Sequence, residues 1–302
     1  MLQKLFSLFQ SDARSPSPAV PSPTSSDPIE SFDGVAKKIV WIYWENHPGK
    51  SEPPHILLCR YILNLQSGCE VRMITPDNLY DYLPEIHPNI HEIRRDNKPD
   101  EICLAIKTGF IRVFLLEKFG GLYIDSDAIV LRDLGDVFDR IREKGFVSTR
   151  KTSKPRKHIP NNFLGSMPNG RIMSLYADRL RALLAERTVY KWGEIGSRLL
   201  TDIVNDNLEQ AYIYPEAQVH PLTNNQQADY LSTEIEPADV ISGETLNFML
   251  FHRIFDGEFK QAGDGLKHHG LDDLYYGDFL LSKIFRGVLS DAQYRDFRQS
   301  LG

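Results

Sequence analysis

The stretch Phe119–Val130, FGGLYIDSDAIV, sets two aspartates one residue apart at the end of an apolar run, directly after a pair of glycines. LYID reads as a strand, DSD as a turn, and AIVLRDL (128–134) as an edge strand or extended continuation. Asp125 and Asp127 therefore fall at a strand's carboxyl end, where open α/β sheets bind their ligands. Two carboxylates so spaced repel unless a cation lies between or beside them. A hard divalent ion, Mn²⁺ or Mg²⁺, removes that penalty and accepts phosphate oxygens in its remaining positions. Held this way, it can grip a diphosphate and stabilise it as a leaving group. The competing reading of the triplet is a solvated, charged turn.

Upstream lies DEICLAIKTGFIRVFLLEKF (Asp100–Phe119). Asp100 suits an N-cap and Glu101 the first turn. Ile102, Ile106, Phe110, Val113 and Leu116 recur at three or four residues, which predicts a helix with one buried face. Gly120 follows at the position where helices end in a left-handed conformation. Arg112 sits inside this apolar helix, and a lone buried cation is costly. Its partner is Asp125, Asp127, or a substrate hydroxyl or phosphate.

KKIVWIYW (37–44) and CEVRMIT (69–75) read as strands, HILLCRYILNL (55–65) as a helix and DNLYDYL (77–83) as a short one. That alternation predicts a parallel α/β layer. The second half is less regular. FVSTR (146–150), AYIYP (211–215) and TLNFMLFH (245–252) are strand-like, while RIMSLYADRLRALLAE (171–186) and GSRLLTDIVND (196–206) are helical. No internal repeat is visible.

The chain has 302 residues, 41% of them hydrophobic and a quarter charged, with a formal net charge of −6. It can build a sizeable core, and its mildly acidic balance argues against a nucleic-acid partner. Cys59, Cys69 and Cys103 show neither CxxC nor a zinc-ligand spacing, so reduced thiols and a cytoplasmic location are expected. The opening MLQKLFSLFQ has Leu2, Leu5, Phe6 and Phe9 at helical spacing but lacks the length and cleavage site of a signal peptide. Residues 1–10 are a candidate for peripheral contact with a membrane face. Residues 1–33 are expected to be a disordered Pro/Ser-rich segment carrying that short amphipathic helix, with one domain over 34–302.

Other candidates are softer. Tyr43 and Trp44 end the first strand, where a base can stack on an aromatic ring; core packing is the equal alternative. Asn161 and Asn162 offer amides suited to sugar hydroxyls, or simply form a turn. They follow a basic loop, RKTSKPRKHIP (150–160), that reads as a lid over a diphosphate or as a solvated face. His252 is a metal ligand or a core histidine. His268 and His269 are adjacent, tend to point apart, and are not expected to be ligands.

The arrangement of Arg112, Phe119, Gly120, Gly121, Tyr123, Asp125 and Asp127 resembles the DxD glycosyltransferases of GT-A fold. It is most similar to the capsular polysaccharide synthesis proteins and the family 32-like sugar-binding group. KKIVWIYWENHP, WGEIGSRLLTDIV (192–204) and FMLFH add weaker similarity, so the resemblance spans residues 36 to 255 in scattered blocks. It implies a Rossmann-like nucleotide-binding mixed sheet flanked by helices, with an α-rich C-terminal acceptor part. The implied activity is sugar transfer with retention from a nucleotide-diphosphate sugar, a UDP-sugar first among them, to a glycan or lipid-linked glycan. The resemblance also implies direct metal coordination by Asp127 and ribose or water-mediated metal contact by Asp125. His252 would complete the metal shell, and Thr108 and Arg112 would contact the donor. Many relatives carry Ser-Asp where this chain has Thr108-Gly109, so the donor sugar does not carry over. Direct same-face attack and double displacement are both open.

Rivals remain. IDSDAIV also fits a haloacid-dehalogenase-type phosphatase, with Asp125 as nucleophile, Asp127 as acid/base and LDDLYYGD (271–278) as a late acidic motif. The glycines before the strand count against it. A non-catalytic carbohydrate-binding relative and a glycosylating effector with a protein acceptor share the same motif.

Overall fold

The computed structural model describes residues 33–153, 157–251, 253–256 and 264–301. Segment 1–10, most of the Pro/Ser-rich tether, part of the basic loop and His252 lie outside the described residues.

Six strands form the central sheet: β1 (Ile39–Tyr43), β2 (Glu70–Ile74), β3 (Gly121–Ile124), β5 (Phe146–Thr149), β6 (Phe163–Ser166) and β7 (Ala211–Tyr214). Their spatial order is β7-β5-β6-β3-β1-β2. β1 is parallel to β2 and to β3, and β5 is parallel to β7, whereas β6 runs against both β3 and β5. The first-half strands β1, β2 and β3 thus form the expected parallel layer, and antiparallel β6 makes the whole a mixed sheet of the kind the resemblance implies. β4 (Ala128–Val130) leaves it and pairs antiparallel with β8 (Asn247–Met249), fixing the chain just beyond the aspartates.

Every residue of β1 is buried, which is why it reads as an unbroken apolar run rather than an alternating one. Ile39, Trp41 and Tyr43 enter one core with Phe110, Phe119 and Tyr123; Val40 and Ile42 enter another on the opposite face with Leu122, Ile124 and Phe138. A third core joins helix α1 (Pro54–Gln66) to the C-terminal helices through Leu58, Ile62, Ile284 and Phe285.

Helix α2 spans Leu104–Phe119, not Asp100–Phe119. Lys98–Ile102 forms a strand against Arg94–Arg95, and Cys103 precedes the helix, so Asp100 and Glu101 lie in a hairpin instead of a cap. α2 is also buried on nearly every side rather than along one stripe, since Ile106, Phe110, Ile111, Val113, Leu115 and Leu116 all lie within the core. The sheet covers one side and α3 (Arg171–Glu186) another. Residues 196–206 divide between an irregular turn at Glu194–Arg198, with Gly196 outside helical dihedrals, and helix α4 (Leu199–Asn205).

The glycine pair has a steric reason. Gly121 has φ +97°, and a Cβ there would sit 2.7 Å from the Ile39 carbonyl oxygen and 2.9 Å from the Trp41 indole nitrogen. A Cβ on Gly120, at φ +64°, would sit 2.6 Å from Pro168. The Trp41 indole N–H donates to the Gly120 carbonyl at 2.8 Å. These contacts bring the end of α2 flush against β1 and aim β3 along it.

Candidate active site

From β1 the chain builds β2 on one side, then places β3 on the other. The β1/β3 boundary is therefore the topological switch point of the sheet, and the crevice outside its carboxyl ends is the expected ligand site. A cavity of about 730 Å³ opens there, lined by Tyr43, Trp44, Thr108, Arg112, Asp125, Asp127 and Asn161, with Glu45, Gly109, Trp192, Ile195 and Gly196 among the rest. Seven of the residues singled out from the sequence thus meet in one place.

The backbone around the aspartates is tied to both neighbouring strands. The Asp125 N–H donates to the Asn162 carbonyl at 3.0 Å, the Ser126 hydroxyl donates to the Tyr43 carbonyl at 3.1 Å, and the Asp127 carbonyl accepts from the Leu250 N–H at 2.9 Å. The two side chains are half-buried and face the cavity. Burial first, and Asp125 second, push the Asp127 carboxyl up to about 8. Burial also raises Asp125, against the opposing pull of Arg112. The pair is held at an electrostatic cost that a cation would relieve.

Arg112 finds its partner in Asp125, at 2.9 Å, with the guanidinium 5% exposed and the carboxylate 30% exposed. The same guanidinium donates to the carbonyls of Asn161 and Thr108 and stacks 4.7 Å from the centroid of the Tyr123 ring. Burial opposes its charge, but Asp125 and the neighbouring tyrosines outweigh it, so its pKa lies above the ordinary value.

Asn161 and Asn162 part company. The Asn161 amide lies between two glycines: a Cβ on Gly109 would be 3.8 Å from its Nδ2, and one on Gly196 3.3 Å. Gly196, the tighter of the two, therefore makes room for the Asn161 amide at the cavity wall. Asn162 instead turns its amide to His220, at 3.0 Å, and its side chain lies outside the cavity wall. His220 is 1% exposed. Burial first, then Lys151 and His158, hold it well below the ordinary histidine range, so it is neutral. Thr108 reaches the cavity, but its hydroxyl donates to the Leu104 carbonyl of its own helix. Trp44 is half-buried at the rim, its indole N–H bonded to Asn46, whereas Tyr43 is buried with its hydroxyl donating to Glu45 at 2.6 Å.

That last contact belongs to a link the motif reading missed. Lys107, 2% exposed, pairs with Glu45 at 2.6 Å and ties α2 to the loop after β1. Its signal was present as a second cation in AIKTGFIRVF, yet nothing local names its partner. The start of the basic loop is pinned as well. Glu216 accepts from the backbone and hydroxyl of Thr152 at 2.7 and 3.0 Å, and from those of Ser153 at 3.0 and 2.8 Å. Despite burial, these bonds hold its carboxyl below the ordinary range.

A metal at Asp125 and Asp127 suits the donor set. Both are hard oxygen ligands, Arg112 relieves their repulsion only in part, and two carboxylates plus substrate phosphates suffice for Mg²⁺. Among the described residues no group of three His, Cys, Asp or Glu converges on a metal position.

A carboxylate pair and a buried arginine thus meet in the cavity at the switch point of the sheet. The chain belongs to the capsular polysaccharide synthesis protein family, whose match runs over residues 25–240. No curated protein matches it. Among solved structures it is similar to the glycosyltransferase GlyE of Streptococcus pneumoniae TIGR4, at 14% identity over 88% of this chain and 64% of GlyE, with a TM-score of 0.45. Mouse xyloside xylosyltransferase 1 aligns at 8% identity over 72% of this chain and 96% of its own, with a TM-score of 0.40. Galactosyltransferase LgtC, solved with donor and acceptor sugar analogs, aligns at 10% identity over 86% of this chain and 99% of its own, with a TM-score of 0.38.

Proposed function

We propose that the protein is a metal-dependent glycosyltransferase that moves a sugar from a nucleoside diphosphate sugar to a glycan acceptor of a surface polysaccharide. The observation that carries this reading is the Arg112–Asp125 pair at 2.9 Å beside Asp127, in the cavity at the β1/β3 switch point. Asp127, with Asp125, would hold Mn²⁺ or Mg²⁺, which supplies positive charge for the diphosphate when bound. Membership of the capsular polysaccharide synthesis family supports the same class of product.

The chain's own residues do the rest. Trp44 stacks the base at the rim, where the link of Glu45 to Lys107 fixes the loop that carries it. Asp125 orients Arg112, and Arg112 keeps its charge in a nearly dry setting, where it steadies negative charge developing on the leaving diphosphate. The Asn161 amide, seated between Gly109 and Gly196, reads a sugar hydroxyl with donor and acceptor together. Retention at the anomeric carbon, a UDP-sugar donor and a lipid-linked glycan acceptor are parts of the proposal. So is peripheral membrane contact through residues 1–10; among the described residues no helix is long and apolar enough to cross a membrane.

The phosphatase reading loses its late motif. Asp272 accepts from the Tyr294 hydroxyl at 2.7 Å and Asp273 from the Gly270 N–H at 2.8 Å, and neither lines the cavity. Asp125, already paired with Arg112, is also a weakened nucleophile.

The test is nucleotide release from UDP-, GDP- and CMP-sugars, with and without Mn²⁺, beside Asp127→Ala. Metal-dependent release that vanishes in the variant is expected. Turnover of a generic phosphoester with no hydrolysis of any donor would sink the transferase.

A further inference from the structure

Three carboxylates line the cavity: Asp125, Asp127 and Glu45. The first two face the metal position, and Glu45 has so far served only to tie the loop after β1 to α2. Its two oxygens are not equivalent. Oε2 accepts from the Tyr43 hydroxyl at 2.6 Å and pairs with the Lys107 ammonium, also at 2.6 Å. Both partners are buried, Tyr43 at 4% exposure and Lys107 at 2%. Burial first, and Glu45 second, push the Tyr43 hydroxyl far above the ordinary tyrosine value, so it remains a donor. Oε1 takes no hydrogen bond among the described residues and is not sealed from solvent, on a side chain 21% exposed.

Two consequences follow. Double donation to Oε2 fixes the rotation of the carboxylate, so Oε1 is presented to the cavity in a set direction. Pairing with Lys107 offsets the negative charge, so Oε1 can accept a hydrogen bond in a cleft meant for a diphosphate without repelling it as a lone carboxylate would. The location suits the nucleoside end of the ligand. Glu45 follows Trp44 at the rim, and Lys107 precedes Arg112 by five residues on α2, about 7.5 Å along the helix. A nucleoside fits between a base edge held at Glu45 and a diphosphate held at Arg112.

We infer that Glu45 is the residue that selects the donor's nucleobase, its Oε1 accepting from the ring N–H of uracil. Uracil offers one N–H on the edge remote from the ribose, matching the one free oxygen. Cytosine and adenine set a ring-nitrogen lone pair there, which a carboxylate repels. Guanine sets two adjacent donors there and leaves one unpaired, at a cost in affinity. The inference rests on the transferase reading and adds to it the atom that specifies the nucleotide.

The experiment measures binding of UDP, N3-methyl-UDP, CDP, GDP and 2′-deoxy-UDP to the full chain by calorimetry in Mn²⁺, for wild type and Glu45→Gln. Wild type should bind UDP about tenfold or more tighter than CDP and N3-methyl-UDP, the order of one charge-assisted hydrogen bond. Glu45→Gln makes the sharper prediction. Lys107 has donors only, so the glutamine oxygen stays with Lys107 and Tyr43 and its NH₂ turns to the cavity. The acceptor becomes a donor, and the preference should reverse, CDP now binding tighter than UDP. A purely structural role for Glu45 would weaken all nucleotides alike and give no reversal. Equal binding of UDP and N3-methyl-UDP, GDP tighter than UDP, or an unreversed order in Glu45→Gln overturns the inference and leaves the transferase reading standing. So does a loss of affinity confined to 2′-deoxy-UDP, because the oxygen would then belong to the ribose. If wild type binds none of the nucleotides with metal present, the transferase reading falls and this inference with it.

Discussion

Replacing Arg112 with methionine should destabilise the fold far more than loss of an ordinary ion pair. The guanidinium is 5% exposed and its partner Asp125 30% exposed. The substitution removes the 2.9 Å pair, the donation to two carbonyls and the stacking on Tyr123. What remains is a half-buried carboxylate with Asp127 as its near neighbour. Breaking one side of a buried pair costs about 3–5 kcal/mol. Because Asp125 opens to the cavity, the low end applies, about 3 kcal/mol, or a fall in Tm of roughly 6–12 °C for a domain of this size. The double variant Arg112→Met/Asp125→Asn removes the stranded charge as well and should recover about half of that loss. Urea unfolding in EDTA, followed by circular dichroism, measures all three proteins. A single-variant cost below about 1 kcal/mol, the value of a surface pair, would refute the claim that the site is held together by this contact. So would a double variant less stable than the single.

Asp127→Asn should abolish donor hydrolysis and yet raise the Tm of the metal-free protein, since it deletes a charge that burial and Asp125 both disfavour; a lower Tm in EDTA would contradict this. The folded Asp127 carboxyl sits near 8, above its unfolded value of about 3.9, so the native state binds the extra proton between those limits. Relative to Asp127→Asn, the metal-free wild type should therefore lose stability as pH rises from about 4 towards 8, and Mn²⁺ should restore it at the upper end; parallel pH curves for the two proteins would count against the shift. Gly121→Ala places a Cβ 2.7 Å from the Ile39 carbonyl at φ +97° and should yield little soluble protein, whereas Gly109→Ala meets only the flexible tip of Ile195 at 3.0 Å and should fold. Lys107→Met strands Glu45 beside Tyr43, so donor KM should rise several-fold together with a Tm loss, and Lys107→Met/Glu45→Gln should return most of the Tm.

Much of the site was legible because its signals are local. Two carboxylates one residue apart, a glycine pair and an arginine in an apolar helix are covalent-sequence facts, and each carries a cost that only a particular setting relieves. Other features failed for identifiable reasons. Asp100 looked like a cap, but pairing of Lys98–Ile102 with Arg94–Arg95 claimed that backbone first. The spacing in α2 suggested one buried face, yet a helix packed against a sheet and a second helix is buried all round, and its exposed positions carry no pattern. Asn161 and Asn162 were equivalent as a pair of amides; strand β6 begins just after them, and the alternation it imposes sends one to the cavity and the other to His220.

By itself the sequence determined the strand-turn character of FGGLYIDSDAIV, the strands and helices flanking it and the chemistry of its carboxylates. Those follow from residue volume, backbone dihedral preference and charge repulsion over a few neighbours. Only the tertiary structure decided that Arg112 pairs with Asp125, that Lys107 reaches Glu45, that Gly196 makes room for Asn161 and that Arg95 lies under Trp192. These partners are separated by 13 to 97 positions, and no local preference encodes them. Sheet order sets them: by placing β3 beside β1 and β6 beside β3, it brings distant chain segments to one crevice.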